Sequence, residues 1–73
     1  MKKTRVIQAL RAQAIADKEK ALMALDLLDN QAVGIGDHTV NDFLKDASEA
    51  LSLLADAEDR LSTIEKYEQN QFN

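Results

Sequence analysis

The stretch that decides the fold is Asn30-Gln31-Ala32-Val33-Gly34-Ile35-Gly36-Asp37-His38, near the middle of a chain of 73 residues. Gly34 and Gly36 are the only glycines, and the sequence contains no proline. Glycine readily adopts the positive φ angles that end helices, and Asn30 can cap a helix C-terminus. These residues predict one turn, over residues 30–38, between two long segments of helix-forming composition.

The second segment begins with a helix start signal. Thr39 can accept a hydrogen bond from the backbone N–H of Asp42 while the Asp42 carboxylate bonds back, a capping box with Asp in place of Glu. Beyond it, apolar residues recur in steps of three and four, the spacing of one helix face. They are Val40, Phe43, Ala47, Ala50, Leu54, Ala57, Leu61 and Ile64. This pattern predicts a helix over residues 39–67, followed by a frayed tail over residues 68–73.

The first segment predicts a helix over residues 3–29 with a less regular apolar stripe. The stripe consists of Ile7, Leu10, Ala14, Ala21, Leu25 and Leu28, and Asp17-Lys18-Glu19-Lys20 interrupts it. Two interpretations of Asp17 stay open. In the first, Asp17 belongs to a polar layer that sets the helix register or the number of subunits, or that lines a ligand site between subunits. In the second, the apolar stripe drifts around the helix and Asp17 pairs with Lys18, Lys20 or Arg60.

A short connection makes the two helices antiparallel, so the predicted fold is an all-α, antiparallel two-helix hairpin in a single domain, residues 1–73. Such a small core is marginal, and the absence of cysteine removes disulfides as a source of stability. We therefore expect the hairpin to assemble, with a homodimeric four-helix bundle favoured over a trimer or a larger ring.

The residues expected to form the oligomer or partner interface are apolar members of both helices. They are Leu10, Ala21, Leu22, Met23, Leu25, Leu27, Leu28, Phe43, Ala47, Leu53, Leu54, Leu61 and Ile64. Leu22, Met23, Leu27 and Leu53 lie off the main stripes, so we expect them to contact another hairpin or a partner. The segment 21–28 is apolar around most of its circumference, which one neighbouring helix cannot cover.

The net charge of −4 is distributed unevenly. Residues 1–20 are mainly basic, and the remainder is mainly acidic. In an antiparallel hairpin this split brings Lys2, Lys3, Arg5 and Arg11 near Glu58, Asp59, Glu65 and Glu68. Pairing within the hairpin therefore explains the split better than a nucleic-acid arm, since the basic run lacks interleaved aromatic residues.

Patterns that would indicate catalysis or cofactor binding are weak. The Gly34 and Gly36 loop lacks the Lys-Ser/Thr of a phosphate-binding loop. His38, beside Asp37 and near Asp42, suggests either a weak metal site or pH-sensitive cap, or an exposed loop histidine, and we favour the last. We expect no cofactor, no metal and no enzymatic activity. No apolar run approaches the roughly 20 residues that span a bilayer, which predicts a cytoplasmic protein.

Two stretches resemble small uncharacterised helical proteins of tailed bacteriophages, including T4-like ones. They are Val33-Gly34-Ile35-Gly36-Asp37-His38-Thr39 and Leu54-Ala55-Asp56-Ala57-Glu58-Asp59-Arg60-Leu61, and the similarity covers residues 33–67. The resemblance implies a short phage accessory protein in the cytoplasm of the infected host. It implies no activity and no functional residues.

The function expected from the sequence is that of a non-enzymatic, oligomeric helical interaction protein, for example a phage accessory factor that binds a host protein. An alternative is an oligomer that sequesters a small anionic ligand such as a nucleotide, in pockets between subunits lined by Arg5, Arg11 or Lys18. A nucleic-acid-binding hairpin is a third hypothesis, disfavoured by the acidic balance of the chain.

Overall fold

The computed structural model describes residues 4–31 and 40–72. Helix α1 spans Arg5–Gln31 and helix α2 spans Val40–Phe72, and the two helices pack against each other. Within the described ranges only Thr4 is outside a helix. The predicted all-α, two-helix hairpin is confirmed.

Thr4 caps the N-terminus of α1. Its side-chain Oγ1 accepts a hydrogen bond from the backbone N–H of Ile7 at 3.0 Å, and its carbonyl oxygen accepts from the N–H of Gln8 at 3.0 Å. Capping of this kind satisfies one of the amides that a helix start leaves without an intrahelical partner. At the other end α1 continues through Gln31, so Asn30, predicted as its cap, lies within the last turn instead.

Helix α2 is longer than the sequence pattern predicted. It continues through Phe72, five residues beyond the predicted end at residue 67, and fraying of residues 68–73 stays a prediction. The physical reason for the longer helix is that Glu68 is half-buried against α1 and accepts a hydrogen bond from Arg11. This contact anchors the end of α2 although the apolar pattern stops near Tyr67.

Several predicted features lie outside the described residues. They are the turn glycines Gly34 and Gly36, the loop residue His38 and the capping residue Thr39. The turn and the capping box therefore stay predictions. Asp42 is described and is exposed in the first turn of α2, where a carboxylate interacts favourably with the helix dipole.

The ion pairs between the helices show that the hairpin is antiparallel. Arg60 of α2 lies 2.7 Å from Asp17 of α1, measured between Nη2 and Oδ2. Arg11, earlier on α1, pairs with Glu68, later on α2. From Arg11 to Asp17 the chain advances along α1, while the partner on α2 moves back from Glu68 to Arg60. Only antiparallel helices give this order of contacts.

The core between the helices consists almost entirely of alanine. The buried apolar residues in the described part of the chain are Ala14, Ala21, Ala50, Ala57 and Ile64. On each helix they recur every seven residues, which places them along one line. Because a methyl group is small, the helices can pack closely, but this core encloses little apolar volume.

The hairpin is long and thin. Its extents are 55 × 14 × 14 Å and its radius of gyration is 16.6 Å, whereas a compact domain of this length has a radius of about 11 Å. Its accessible surface is 5768 Å², against about 4,500 Å² for a compact protein of the same mass. Two helices lying side by side therefore leave much of their apolar surface in contact with solvent.

Candidate interaction surfaces

One side of the hairpin is formed by a stripe from each helix. On α1 the residues Arg11, Ile15, Lys18, Leu22 and Leu25 follow one another in steps of three and four, which places them on one helix face. The corresponding stripe on α2 contains Val40, Leu44, Ala47, Leu51, Leu54, Glu58, Leu61 and Glu68. The pairs Arg11–Glu68 and Lys18–Glu58, the latter with 4.0 Å between Nζ and Oε2, join the two stripes.

We call the apolar part of this side the leucine face. It comprises Ile15, Leu22 and Leu25 of α1 and Val40, Leu44, Leu51, Leu54 and Leu61 of α2. Leu25, Leu54 and Leu61 are half-buried, whereas Ile15, Leu44 and Leu51 are 47%, 56% and 58% exposed. Side chains of this size are usually buried in a folded domain. The leucine face is therefore apolar surface that the hairpin does not cover by itself.

The other side of the hairpin, which we call the groove face, has a charged centre. Arg60 donates a hydrogen bond to Asp17 at 2.7 Å and another to Asp56, one turn earlier on α2, at 3.0 Å. Asp17 therefore pairs with Arg60, as one of its two interpretations predicted, and the polar layer or ligand site between subunits stays a prediction. The Asp17 and Arg60 side chains are both half-buried.

The same contacts affect the titration of Arg60. Its hydrogen bond to Asp17 holds the pKa of the guanidinium above its ordinary value, and Asp56 acts in the same direction. A raised pKa in the folded state means that folding favours the charged form. The stabilisation is complete below the ordinary pKa of arginine, so it disappears only in strongly alkaline solution.

A groove of about 430 Å³ lies on this side, toward the turn. Its lining residues are Lys20, Ala21, Ala24, Leu27, Leu28, Gln31, Asp46, Glu49, Ala50 and Leu53. Ala21 and Ala50 are buried where they line the groove, and Ala24 is half-buried. Asp46 and Glu49 contribute acidic groups against the single basic group of Lys20, so the lining has an acidic balance.

The predicted interface residues occupy buried, half-buried and exposed positions in the hairpin. Ala21 and Ile64 are buried between the helices of one hairpin. Half-buried positions are Leu25, Leu28, Phe43, Ala47, Leu53, Leu54 and Leu61. Leu10, Leu22, Met23 and Leu27 are exposed, and Met23 lies on the side of α1 that points away from α2.

The interface predicted from the sequence omitted four exposed members of the leucine face: Ile15, Val40, Leu44 and Leu51. A signal for Ile15, Leu44 and Leu51 exists in the sequence. Ile15 and Leu22 are seven residues apart, as are Leu44 and Leu51, so each pair occupies one position of the heptad. The signal is weak because these positions flank the central stripe, and a flank is solvent-exposed in most helical hairpins.

The basic residues proposed for an anion site have acidic neighbours. Arg11 pairs with Glu68, and Lys18 lies within 4.0 Å of Glu58, while Arg5 is exposed. These two contacts agree with the expectation that the uneven charge distribution reflects pairing within the hairpin. An anionic ligand would have to compete with carboxylates for Arg11 and Lys18, and the anion site stays a prediction.

Within residues 4–31 and 40–72, no three His, Asp or Glu side chains lie close enough together to hold a metal ion. In the same ranges, neither helix has a stretch of sufficient length and apolar character to cross a membrane.

Comparison with models of protein families, with curated proteins and with solved structures finds no match for this chain.

Proposed function

We propose that this protein is a non-enzymatic helical interaction protein that works as a homo-oligomer, with a dimeric four-helix bundle as its basic form. The observation that carries the proposal is the contrast between the core and the surface. Four of the five buried apolar residues in the described part of the chain are alanines, while leucine, isoleucine and valine side chains on both helices are exposed.

The energetics of this contrast support association. Burying one methyl group contributes about 0.8 kcal/mol, whereas fixing the backbone of one residue costs about 1–2 kcal/mol. A core made mainly of alanine methyl groups is therefore a weak source of stability for two helices of 27 and 33 residues. Covering the exposed leucines with a second hairpin supplies the missing burial.

The proposed biological setting follows from the resemblance to small proteins of tailed bacteriophages. In this proposal the protein is a phage accessory factor, acts in the host cytoplasm and binds a host protein after it has assembled. In this proposal assembly precedes binding of the host protein, because a hairpin that folds only on association presents its outer surface to a partner only as an oligomer.

The test is the solution mass, measured by light scattering coupled to size exclusion over a dilution series. We expect a multiple of the 8.1 kDa chain mass that dissociates only at low concentration. Leu54→Asp places an unpaired charge at a half-buried position of the leucine face and should lower that mass. Ala55→Asp, at the next and exposed position, is the matched control and should keep it. A wild-type monomer at every concentration would contradict the proposal.

A further inference from the structure

We propose that a second copy of this chain packs on the leucine face, and that the groove face stays on the outside of the resulting dimer. This inference rests on the proposed function and specifies the surface by which the hairpins associate. Three observations carry it: the uncharged stretch of α2 on the leucine face, the accessible surface of the hairpin, and the distribution of charge between the two sides.

The Lys18–Glu58 pair separates Ile15 and Leu61 from the rest of the leucine face, but the part nearer Val40 is free of charged residues. Along α2 the stripe from Val40 to Leu54 carries no charged residue, and Leu22 and Leu25 of α1 flank it. On the groove face the exposed apolar residues form separate groups. Val6, Leu10 and Tyr67 lie at one end and Leu27 at the other, and the Asp17–Arg60–Asp56 contacts lie between these groups.

The available area suits a second hairpin. The accessible surface of 5768 Å² exceeds that of a compact protein of this mass by roughly 1,300 Å². A stable interface of standard size removes about 800 Å² from each partner. The hairpin as a whole therefore exposes more surface than one partner of a dimer needs to bury, and a two-fold axis pairs one and the same surface on both copies.

Charge favours the leucine face over the groove face. On the side that carries the leucine face, Arg11 and Lys18 have their acidic partners Glu68 and Glu58 within the same hairpin. Two groove faces brought together would place Asp46, Glu49 and the same residues of a second copy in one interface with only Lys20 beside them. Like charges in a partly desolvated contact are unfavourable, so the groove face is the poorer surface for self-association.

Two matched substitutions separate the faces. Leu51 on the leucine face is 58% exposed and Leu27 on the groove face is 59% exposed, so lysine at either site changes a single hairpin to a similar extent. In a dimer Leu51→Lys would bury two ammonium groups, and we expect its dissociation constant to rise by at least about 100-fold. Leu27→Lys should leave the dissociation constant near that of the wild type.

The outcomes of this experiment distinguish a wrong assignment of the face from a wrong proposal of the function. An oligomeric wild type whose mass survives Leu51→Lys, or is lost equally in both variants, would overturn the assignment of the face but leave the proposed function standing. A wild type that is monomeric throughout would overturn both, and the leucine face would then be open to a different protein.

A labelling experiment covers the case in which Leu51→Lys fails to fold. The sequence has no cysteine, so Leu51→Cys and Leu27→Cys each introduce a unique thiol. Above the dissociation constant, a water-soluble maleimide should react much more slowly at position 51 than at position 27, and the difference should vanish on dilution. Equal rates at high concentration would contradict packing on the leucine face.

Discussion

Ala21 and Ala57 have no accessible surface and lie at the centre of the contact between the helices. A larger side chain at either site would need space that the close approach of two helices does not leave. Alanine is also the residue with the highest helix propensity, so each of these positions serves the local structure and the packing together. The identity of the residue is decided by the distance between the backbones rather than by the amount of apolar area it buries.

Replacing Ala57 with leucine tests this interpretation. We expect Ala57→Leu to lower the free energy of unfolding by about 1–3 kcal/mol, because overpacking forces the helices apart. Ala55→Leu is the control, since Ala55 is exposed two positions away on the same helix. Urea unfolding followed by circular dichroism at one fixed protein concentration gives both values. Equal stabilities of the two variants would show that the helices do not require a small residue at position 57.

At the scale of the element, α2 persists beyond the end of its apolar stripe because of a polar contact. Arg11 of α1 donates to Glu68 of α2, and both side chains are half-buried. Helix ends otherwise fray, since their last carbonyl groups lack intrahelical partners. The start of α1 has a local reason instead, since Thr4 supplies its cap.

Removing the Glu68 carboxylate should loosen the end of α2 without unfolding the hairpin. We expect Glu68→Ala to accelerate amide hydrogen exchange in residues 65–70, with a loss of global stability of about 1 kcal/mol or less, because a partly exposed ion pair contributes little. Glu65→Ala, at an exposed position one turn earlier, should leave this exchange nearly unchanged. Equal protection in both variants would show that Arg11 does not anchor this end.

At the scale of the whole molecule, the hairpin exposes its apolar surface on two sides of a thin rod, and its folding is proposed to be linked to association. Linkage makes the apparent stability depend on protein concentration. We expect the midpoint of thermal unfolding to fall by about 5 °C for each tenfold dilution, given the unfolding entropy of two chains of this length. Circular dichroism melts over a hundredfold range of concentration measure this. A constant midpoint would show that the hairpin folds alone.

The sequence by itself determined the two helices and their antiparallel pairing. Helix propensity, the absence of proline and the recurrence of apolar residues are local properties, and they predicted α1 and α2 to within a few residues, apart from the C-terminal end of α2. Local pattern also identified Arg60 as a possible partner of Asp17. The end of α2 was predicted five residues too early, because the contact of Glu68 with Arg11 on the other helix leaves no trace in the local periodicity.

Only the tertiary structure decided which apolar residues are buried within one hairpin and which remain exposed. The apolar stripes are wide enough to contact more than one neighbour, so spacing alone did not separate Ala21 and Ile64 from Leu22 and Leu51. The separation depends on how the two helices are rotated about their axes. That rotation is fixed by contacts between distant residues, the close packing at Ala21 and Ala57 and the ion pair of Asp17 with Arg60.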